Sequence, residues 1–339
     1  MPSNEAYCDT WRGQLGYAPT PMNPPPSEFG PNVLQFSLTE GCPHNTCTFC
    51  EMYRRTPFRE KTLEEFEGHV DEVWGQLRQQ PEKGRGINRI FIGAGNALAA
   101  NTQKLLEASR YALIATKKAT GVIPRRAAIY GNTEAIVEKG RYDLNVLYCG
   151  GTCDACSVDF VGDRVGIDVV YWGLESGSTE VLRLAGKGYD SYEAGLAGEI
   201  LWNSKLRPSV MVIPGLGGRK FFREHVEETA RVLNIAKPTW LTFMGLVIGP
   251  ETPYARWMQR AEQTNENQRL TPVEIVEQTA EMIERISFRT MVGIHGPEVH
   301  FGVQYNPCPI GVYEITSRSD TRELAQHLRE KYRRQISGY

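Results

Sequence analysis

The same pair of patterns recurs six times between residues 33 and 286. Each time, a short apolar run is followed by a stretch with apolar residues at helical spacing. The predicted strands are 33–38, 87–92, 126–130, 167–174, 209–213 and 240–247. The predicted helices are 62–80, 102–117, 133–139, 190–203, 225–235 and 271–286. Such alternation is typical of parallel sheets, because parallel neighbours need a long crossover connection. The sequence therefore predicts an α/β fold with parallel strands.

Two architectures fit this order of elements. One is a doubly wound open sheet, and the other is a full or partial (β/α) barrel. Both place ligands at the carboxyl ends of the strands. We therefore expect the chemistry in the loops that follow residues 38, 92, 174, 213 and 247.

Composition narrows the function classes. The chain has 339 residues and a net charge of −2, which argues against the basic face of a general nucleic-acid binder. No apolar run reaches the roughly 18 residues of a membrane span, and the first residues lack the pattern of a signal peptide. We therefore expect a cytoplasmic protein with reduced cysteines, for which metal or redox chemistry explains clustered cysteines better than disulfides.

The sequence also indicates a division into segments. Residues 1–31 contain the run PTPMNPPPSEFGP, which predicts an extended arm laid over the surface. A core domain is predicted over 32–295, with an irregular, cysteine-containing insertion at 141–165. Residues 296–339 form a predicted C-terminal extension that includes a charged amphipathic helix.

Three cysteines lie close together just after the first predicted strand. They are Cys42, Cys47 and Cys50, in the string CPHNTCTFC. Three thiolates on one loop can hold an Fe–S cluster, or a zinc ion with one position open. His44 could supply a fourth ligand, and buried thiols without metal are the plain alternative. The loop lies at the end of the sheet where ligands are expected.

The cysteine loop carries a resemblance to a known family. The string TEGCPHNTCTFCEMY, residues 39–53, resembles the cluster loop of the radical S-adenosylmethionine (SAM) superfamily. Most members have cysteine-x3-cysteine-x-aromatic-cysteine after the first barrel strand. Here the first gap has four residues, and the aromatic residue is Phe49. The resemblance implies that the three cysteines bind a [4Fe–4S] cluster and that Phe49 lies in the cofactor site.

Further segments extend the resemblance over about residues 30–295. The segment FIGAGN is similar to the family's glycine-rich end of the second strand, so Gly93, Ala94 and Gly95 would contact SAM through their backbone. The segment WGLESG resembles a fourth-strand motif of enzymes of the methylthiotransferase and coproporphyrinogen-dehydrogenase type. Glu175 there would hold the SAM ribose or amino group. A basic residue about a turn into the next helix pairs with the SAM carboxylate in such enzymes.

The remaining cofactor residues follow from the same resemblance. Lys187 takes the place of the basic residue, with Arg183 as second choice. The segment VIPGLG resembles the fifth-strand segment beside adenine, which assigns Val212 and Ile213. Leu246 corresponds to the sixth-strand contact with the adenine ring.

The resemblance implies a partial (β/α)6 TIM-like barrel that cleaves SAM reductively. In this superfamily, a deoxyadenosyl radical then abstracts hydrogen, and the cofactor performs the difficult step. We expect a small-molecule substrate and a reductant such as ferredoxin or flavodoxin. The polar or aromatic candidates for proton transfer are Tyr130, Tyr171, His295, His300 and Tyr305, for each of which a packing role is an equal alternative.

A second cysteine trio comprises Cys149, Cys153 and Cys156. It lies between a predicted helix and a strand, and such connections fall on the face opposite the active site of a barrel. The radical cluster is therefore assigned to the first trio. The second trio could bind an auxiliary Fe–S cluster, a structural zinc with Cys8, Cys308 or Asp154 as fourth ligand, or no metal.

Two other functions fit the same sequence features. The chain could be a non-catalytic zinc or Fe–S protein that senses redox state or mediates interactions. It could also be a radical SAM enzyme that cleaves a different carbon–sulfur bond of SAM and transfers an aminocarboxypropyl group.

Overall fold

A computed structural model of the chain describes residues 25, 28, 32–54, 56–79, 81–84, 86–151, 166–295 and 311–336. Two compact units divide the chain. The first comprises Met1–Asn45, Met52–Trp172 and Asn203–Arg207, and the second comprises Thr46–Glu51, Gly173–Trp202 and Pro208–Tyr339.

The elements of the first part of the chain alternate as the sequence predicts. They are β1 (Val33–Ser37), β2 (Thr39–Glu40), β3 (Arg59–Glu60), α1 (Leu63–Arg78), α2 (Pro81–Gly84), β4 (Arg89–Gly93), α3 (Thr102–Thr120), β5 (Arg126–Gly131), α4 (Thr133–Cys149) and β6 (Val169–Glu175). A short 3-10 helix, Ala97–Ala99, follows β4. All five predicted elements between residues 33 and 130 are confirmed, within a few residues at their ends.

The second part of the chain continues the alternation and then departs from it. Its elements are α5 (Thr179–Ala185), α6 (Ser191–Trp202), β7 (Arg207–Val212), α7 (Phe222–Ala236), β8 (Trp240–Met244), α8 (Pro253–Gln263), α9 (Pro272–Arg285), β9 (Thr290–His295), β10 (Gly311–Ile315) and α10 (Arg318–Ile336). Sequence reasoning missed α5, α8, β9 and β10.

The sheet has eight strands in the order β1-β4-β5-β6-β7-β8-β9-β10. The pairs β1–β4, β4–β5, β5–β6, β7–β8 and β8–β9 are parallel, and β9–β10 is antiparallel. Within the described residues the sheet is open, with β1 and β10 at its ends. In the first unit Ser37 lies opposite Gly93, so the loops after β1 and β4 start at the same level.

Local sequence sets the start of α1. The Glu65 N–H donates to the Thr62 hydroxyl at 3.1 Å, and the Thr62 N–H donates to the Glu65 carboxylate at 2.8 Å. This reciprocal pair satisfies two of the donors that lack a partner at a helix start. Thr271 and Glu274 form the same arrangement at α9, where Pro272 is the first helical residue. The predicted helix start at Thr271 is therefore confirmed.

Apolar strand residues make the core of each unit. In the first unit Phe36, Ile90, Ile92 and Ile129 are fully buried on β1, β4 and β5. In the second unit the fully or almost fully buried strand residues include Val210, Leu241, Phe243 and Val292. Continuous apolar strands of this kind are typical of parallel sheets that are covered by helices.

Two predictions need correction, one about the segment before β6 and one about the N-terminal arm. Residues 141–149 are helical rather than irregular, because α4 resumes after a kink at Gly140, whose φ is +61°. Glycine adopts this angle at low cost, so the helix breaks for one residue and continues. Glu28, in the predicted surface arm, is fully buried: its carboxylate accepts a hydrogen bond from the Tyr171 hydroxyl at 2.6 Å.

Several predicted features lie outside the described residues. They are the rest of the 1–31 arm, residues 152–165 of the insertion with Cys153, Asp154 and Cys156, residues 296–310 with His300, Tyr305 and Cys308, and Cys8. The predicted C-terminal helix is described to Ile336 as α10. Among the described helices, none is both long enough and apolar enough to cross a membrane.

We expect Phe36→Ala to lower the free energy of unfolding by about 3–5 kcal/mol, because it removes a fully buried ring that meets Phe66 and His69 edge-on. Chemical denaturation followed by circular dichroism measures this loss. Phe58→Ala is the matched control: Phe58 is 38% exposed, so its loss should be under about 1 kcal/mol. Equal losses for the two variants would contradict the description of this core.

Candidate active site

The first half of the cysteine loop is built in the first unit. The Leu38 N–H donates to the Gly93 carbonyl at 2.6 Å, and the Ala94 N–H donates to the Thr39 carbonyl at 3.0 Å. A Cβ atom on Gly95 would lie 2.8 Å from the Gly41 carbonyl oxygen and 3.0 Å from the Cys42 Cβ. The predicted backbone segment Gly93–Gly95 therefore lies against the start of the cysteine loop, at a distance that only glycine allows.

The first gap of the loop, between Cys42 and Cys47, contains a turn at Asn45. Asn45 adopts a φ of +38°, which asparagine tolerates better than most residues. Its side-chain amide donates to the Tyr53 carbonyl at 2.9 Å, which fixes this turn. The neighbouring His44 directs Nδ1 toward Glu134, with the carboxylate oxygen at 3.4 Å.

The second half of the loop is built in the second unit, on the end of α5. Cys47–Cys50 form a turn in which the Cys50 N–H donates to the Cys47 carbonyl at 3.3 Å. The Thr48 N–H donates to the Ala185 carbonyl at 2.9 Å, and the Thr48 hydroxyl donates to the Leu184 carbonyl at 2.7 Å. The last carbonyls of a helix have no partner within it, so the cysteine turn caps α5.

Glycine allows this close docking. Gly186 follows α5 with a φ of +67°, and the Lys187 N–H donates to the Leu182 carbonyl at 3.0 Å, as in a Schellman motif. A Cβ on Gly186 would lie 2.7 Å from the Thr46 carbonyl oxygen. The helix end thus fixes both the cysteine turn and the backbone of Lys187.

Glu175 and Lys187 form a buried ion pair. The Lys187 Nζ lies 3.4 Å from the Glu175 Oε1, and Lys187 is 7% exposed. Burial alone would lower the pKa of Lys187, but the nearby Tyr189, Glu175 and Cys47 groups raise it, so the ammonium stays charged. Burial raises the pKa of Glu175 more than Lys187 lowers it.

Glu175 itself has an unusual backbone. Its φ is +61°, and the Ser176 N–H donates to the Leu174 carbonyl at 2.7 Å across it. A residue with a side chain is unfavourable in this region by about 1–3 kcal/mol, and such residues cluster at functional sites. The carboxylate at the end of β6 is therefore held in a place that relaxed strand geometry would not give.

An apolar cluster unites three of the predicted cofactor-site residues, of which Ile213 and Leu246 were assigned to the adenine side. Phe49, Ile213 and Leu246 pack against a fully buried set within the second unit. That set consists of Val181, Ala185, Leu216, Tyr254 and Met258. Val212, the fourth predicted residue on this side, is fully buried at the end of β7. The cluster includes residues of α5, which also carries the cysteine turn.

The three side chains of the cysteine loop are of the type that binds an Fe–S cluster. Cys42, Cys47 and Cys50 are partly exposed thiols that form no disulfide, as thiolate ligands require. Within the described residues, no group of three or more His, Cys, Asp or Glu side chains is already gathered around a metal position. Cys149 is a buried thiol at the end of α4. Its predicted partners lie outside the described chain.

Two assignments need correction or refinement. The predicted role of Lys187 assumed a place in a helix. The structure differs, because α5 ends at Ala185 and Gly186 turns the chain before Lys187. Arg183, the second choice, is in α5 but its side chain is 71% exposed and pairs with Glu180. Of the two basic residues, Lys187 is therefore the buried one.

Of the candidates for proton transfer, Tyr130 and Tyr171 have neighbours in the first unit, whereas His295 lies in the second. Tyr130 and Tyr171 pack with Phe91, with ring centroids 5.1–6.2 Å apart. Tyr171 also donates to the buried Glu28, which pairs with Arg126 at 3.0 Å. His295 ends β9, where its carbonyl accepts from the Gly245 N–H. Tyr171 thus has a packing role in the first unit.

Sequence reasoning missed several residues that support the site. Ser176, His225 and Thr229 form a fully buried polar cluster behind Glu175. The Tyr254 N–H donates to the Thr48 carbonyl at 3.1 Å, and its hydroxyl accepts from the Gly217 N–H at 2.8 Å. His225 and Thr229 lie one turn apart on the core-facing side of α7. Polar residues at helix positions where apolar ones are expected are the signal that could have indicated them from the sequence.

Comparison with known proteins gives a fold-level match. No protein-family model and no curated protein matches the sequence. The cobalamin-dependent S-adenosylmethionine radical enzyme OxsB with aqua-cobalamin bound is similar over 73% of this chain, with a TM-score of 0.51 and 15% identity. Its structure with aqua-cobalamin and S-adenosylmethionine bound is similar over 76% of this chain, with a TM-score of 0.50 and 14% identity.

This chain has the fold of the radical SAM enzymes. The mostly parallel sheet and its helices thus confirm the predicted α/β fold of the partial TIM-barrel type. Beyond the six predicted strands, the radical SAM fold of this chain adds β9 and the antiparallel β10. The chain matches 40% and 44% of the length of the two OxsB structures, so it spans less than half of that enzyme.

The close approach of Gly95 to the cysteine loop can be tested by adding one methyl group. Gly95→Ala should lower the free energy of unfolding by about 1–3 kcal/mol, because the new Cβ would overlap the Gly41 carbonyl and the Tyr53 ring. Gly68→Ala in α1, where a Cβ meets nothing within 4 Å, should instead raise it by about 0.5–1 kcal/mol. Thermal unfolding compares the two, and a neutral Gly95→Ala would contradict the packing.

Proposed function

We propose that this protein is a radical SAM enzyme that cleaves SAM reductively to a 5′-deoxyadenosyl radical, which abstracts hydrogen from a small-molecule substrate. One observation carries the proposal. The end of α5 holds the turn of Cys47 and Cys50 through Thr48, and Lys187, the predicted partner of the SAM carboxylate, follows that same end. A predicted cluster ligand and a predicted SAM ligand are therefore positioned by one element.

The proposed roles follow the chemistry of each side chain. Cys42, Cys47 and Cys50 would hold three irons of a [4Fe–4S] cluster. The chemistry that such a cluster supplies, once reduced, is one electron for breaking a carbon–sulfur bond of SAM. A low-potential donor such as ferredoxin or flavodoxin would provide that electron.

The Glu175–Lys187 pair suits the methionine part of SAM. That part carries one carboxylate and one amino group, and the pair offers one ammonium and one carboxylate at 3.4 Å. Lys187 would bind the SAM carboxylate, while Glu175 would accept from the amino group or the ribose. Buried, preorganised charges bind strongly because they are already removed from water.

The remaining cofactor residues would shape the rest of the SAM site. Gly93, Ala94 and Gly95 would offer backbone contacts, since glycine lets a ligand approach the chain closely. Phe49, Ile213 and Leu246 would cover the adenine with apolar surface, and Val212 would support them from the core. Cys149, Cys153 and Cys156 are proposed as ligands of an auxiliary cluster or a zinc ion.

The cluster assignment predicts a loss of iron. Anaerobically reconstituted protein should hold at least about four irons per chain and release 5′-deoxyadenosine with dithionite and SAM. Cys42→Ala, Cys47→Ala and Cys50→Ala should each lose the SAM-dependent product, because thiolate ligands hold the cluster. Iron analysis and product mass spectrometry measure both.

Cys149→Ala is the matched control for the three substitutions. It should keep SAM cleavage by the first cluster, and a loss of about four irons would reveal a second cluster. Zinc without iron, together with no SAM turnover, would overturn the proposal in favour of a non-catalytic metal protein. An aminocarboxypropyl product instead of 5′-deoxyadenosine would show the other cleavage of SAM.

The SAM assignment predicts a rise in KM. Lys187→Met should raise the KM for SAM about tenfold or more, because a hydrogen-bonded charge contact is lost. Arg183→Gln, four residues away and exposed, should change nothing. The Glu175→Gln, Lys187→Met double variant leaves no unpaired buried charge, so it separates lost binding from lost stability. An unchanged KM in both Lys187 variants would remove Lys187 from the site.

A further inference from the structure

His225 is a fully buried side chain on α7 for which the proposed chemistry has no use. Both of its ring nitrogens have partners. Nδ1 lies 2.8 Å from the Ser176 hydroxyl and 3.1 Å from the Thr229 hydroxyl, and Nε2 lies 3.0 Å from the Ile213 carbonyl oxygen. None of these three partners is ionisable.

The partners fix the protonation of the ring. A carbonyl oxygen can only accept, so Nε2 carries the proton and Nδ1 is the acceptor. The Ser176 oxygen already accepts from the Ser178 N–H at 3.0 Å, which leaves its own proton for Nδ1. Burial lowers the pKa of His225 to about 4, against the opposing effect of the Ile213 hydrogen bond, so the ring is neutral.

His225 connects the carboxyl ends of two strands. Ser176 follows Glu175 at the end of β6, and Ile213 follows Val212 at the end of β7. The Ile213 N–H also donates to the Glu175 carbonyl at 3.0 Å. The two strand ends are thus joined directly by a backbone bond and from behind by the imidazole.

The turn at Glu175 needs support of this kind. Its positive φ is unfavourable for a residue with a side chain, so the surroundings must hold it. The next residue but one, Gly177, donates to the Thr229 hydroxyl at 2.8 Å. A Cβ on Gly177 would lie 2.3 Å from the Glu228 carbonyl oxygen, so the turn lies directly on α7.

We propose that His225 is a positioning residue for SAM, which sets Glu175 and Ile213 in the places where they meet the cofactor. The inference rests on the proposed function. His225 touches neither SAM nor the cluster, and it acts through the two strand ends that it joins. Its neutral ring serves as a rigid link with one donor and one acceptor on separate ring nitrogens.

The experiment measures SAM binding to anaerobically reconstituted protein by equilibrium dialysis. His225→Gln keeps a donor near the place of Nε2 but loses the acceptor for Ser176. We expect it to weaken SAM binding about tenfold, equal to about 1.4 kcal/mol. The KM for SAM should rise by the same factor, while kcat at saturating SAM stays near the wild-type value, because bound SAM restores the strand ends.

Ser176→Ala and Val232→Ala complete the set. Ser176→Ala removes the same hydrogen bond and also the acceptor of the Ser178 N–H, so its effect should be at least that of His225→Gln. The double variant should be little worse than Ser176→Ala alone. Val232→Ala, on the same helix and also fully buried, costs stability through a cavity but should leave SAM affinity unchanged.

The outcomes separate the two proposals. If wild-type reconstituted protein binds no SAM, the proposed function fails and this inference fails with it. If wild type binds SAM, but His225→Gln and Ser176→Ala bind it as tightly as Val232→Ala does, only the positioning role of His225 is overturned. Additive losses in the double variant would also overturn it, since the two changes would then act through different contacts.

Discussion

The cap on helix α5 is the contact on which the site depends most. Thr48 donates to two carbonyls at the end of that helix, Leu184 and Ala185, which have no partner inside it. The cysteine turn thereby gains a fixed place. Because Gly186 then reverses the chain, Lys187 is buried beside Glu175 and follows the helix end that holds the cysteine turn. One helix end therefore brings together a thiol, an ammonium and a carboxylate.

The end of β6 shows how an unfavourable backbone is maintained. Glu175 has a positive φ and carries a carboxylate into a mostly buried place, where its side chain is 12% exposed, and both cost free energy. Lys187 forms an ion pair with the Glu175 carboxylate, and the Ile213 N–H donates a hydrogen bond to the Glu175 carbonyl. The buried cluster of Ser176, His225 and Thr229 fixes the turn from behind. A strained backbone that several contacts hold in place is expected where a carboxylate must bind a ligand at a fixed position.

Much of this architecture could be predicted, and the misses have identifiable causes. Strands β1 and β4 to β8 were predicted because apolar runs bounded by glycine and polar residues are strong signals. The extension of α4 past Gly140 was missed because glycine usually ends a helix pattern, yet here it only kinks one. Helix α5 was missed because seven residues are too few for a periodic signal. Strand β10 was missed because its antiparallel pairing with β9 follows from tertiary contact.

The sequence by itself determined the residue types and their order: three thiols after the first strand, glycines after the second, and a carboxylate after the fourth. Those properties are local, since spacing along the chain fixes which strand end each group follows. Only the tertiary structure decided that Lys187 is buried while Arg183 is exposed, and that His225 joins two strand ends. Burial and long-range hydrogen bonds depend on how distant segments pack, and spacing along the chain carries no record of that packing.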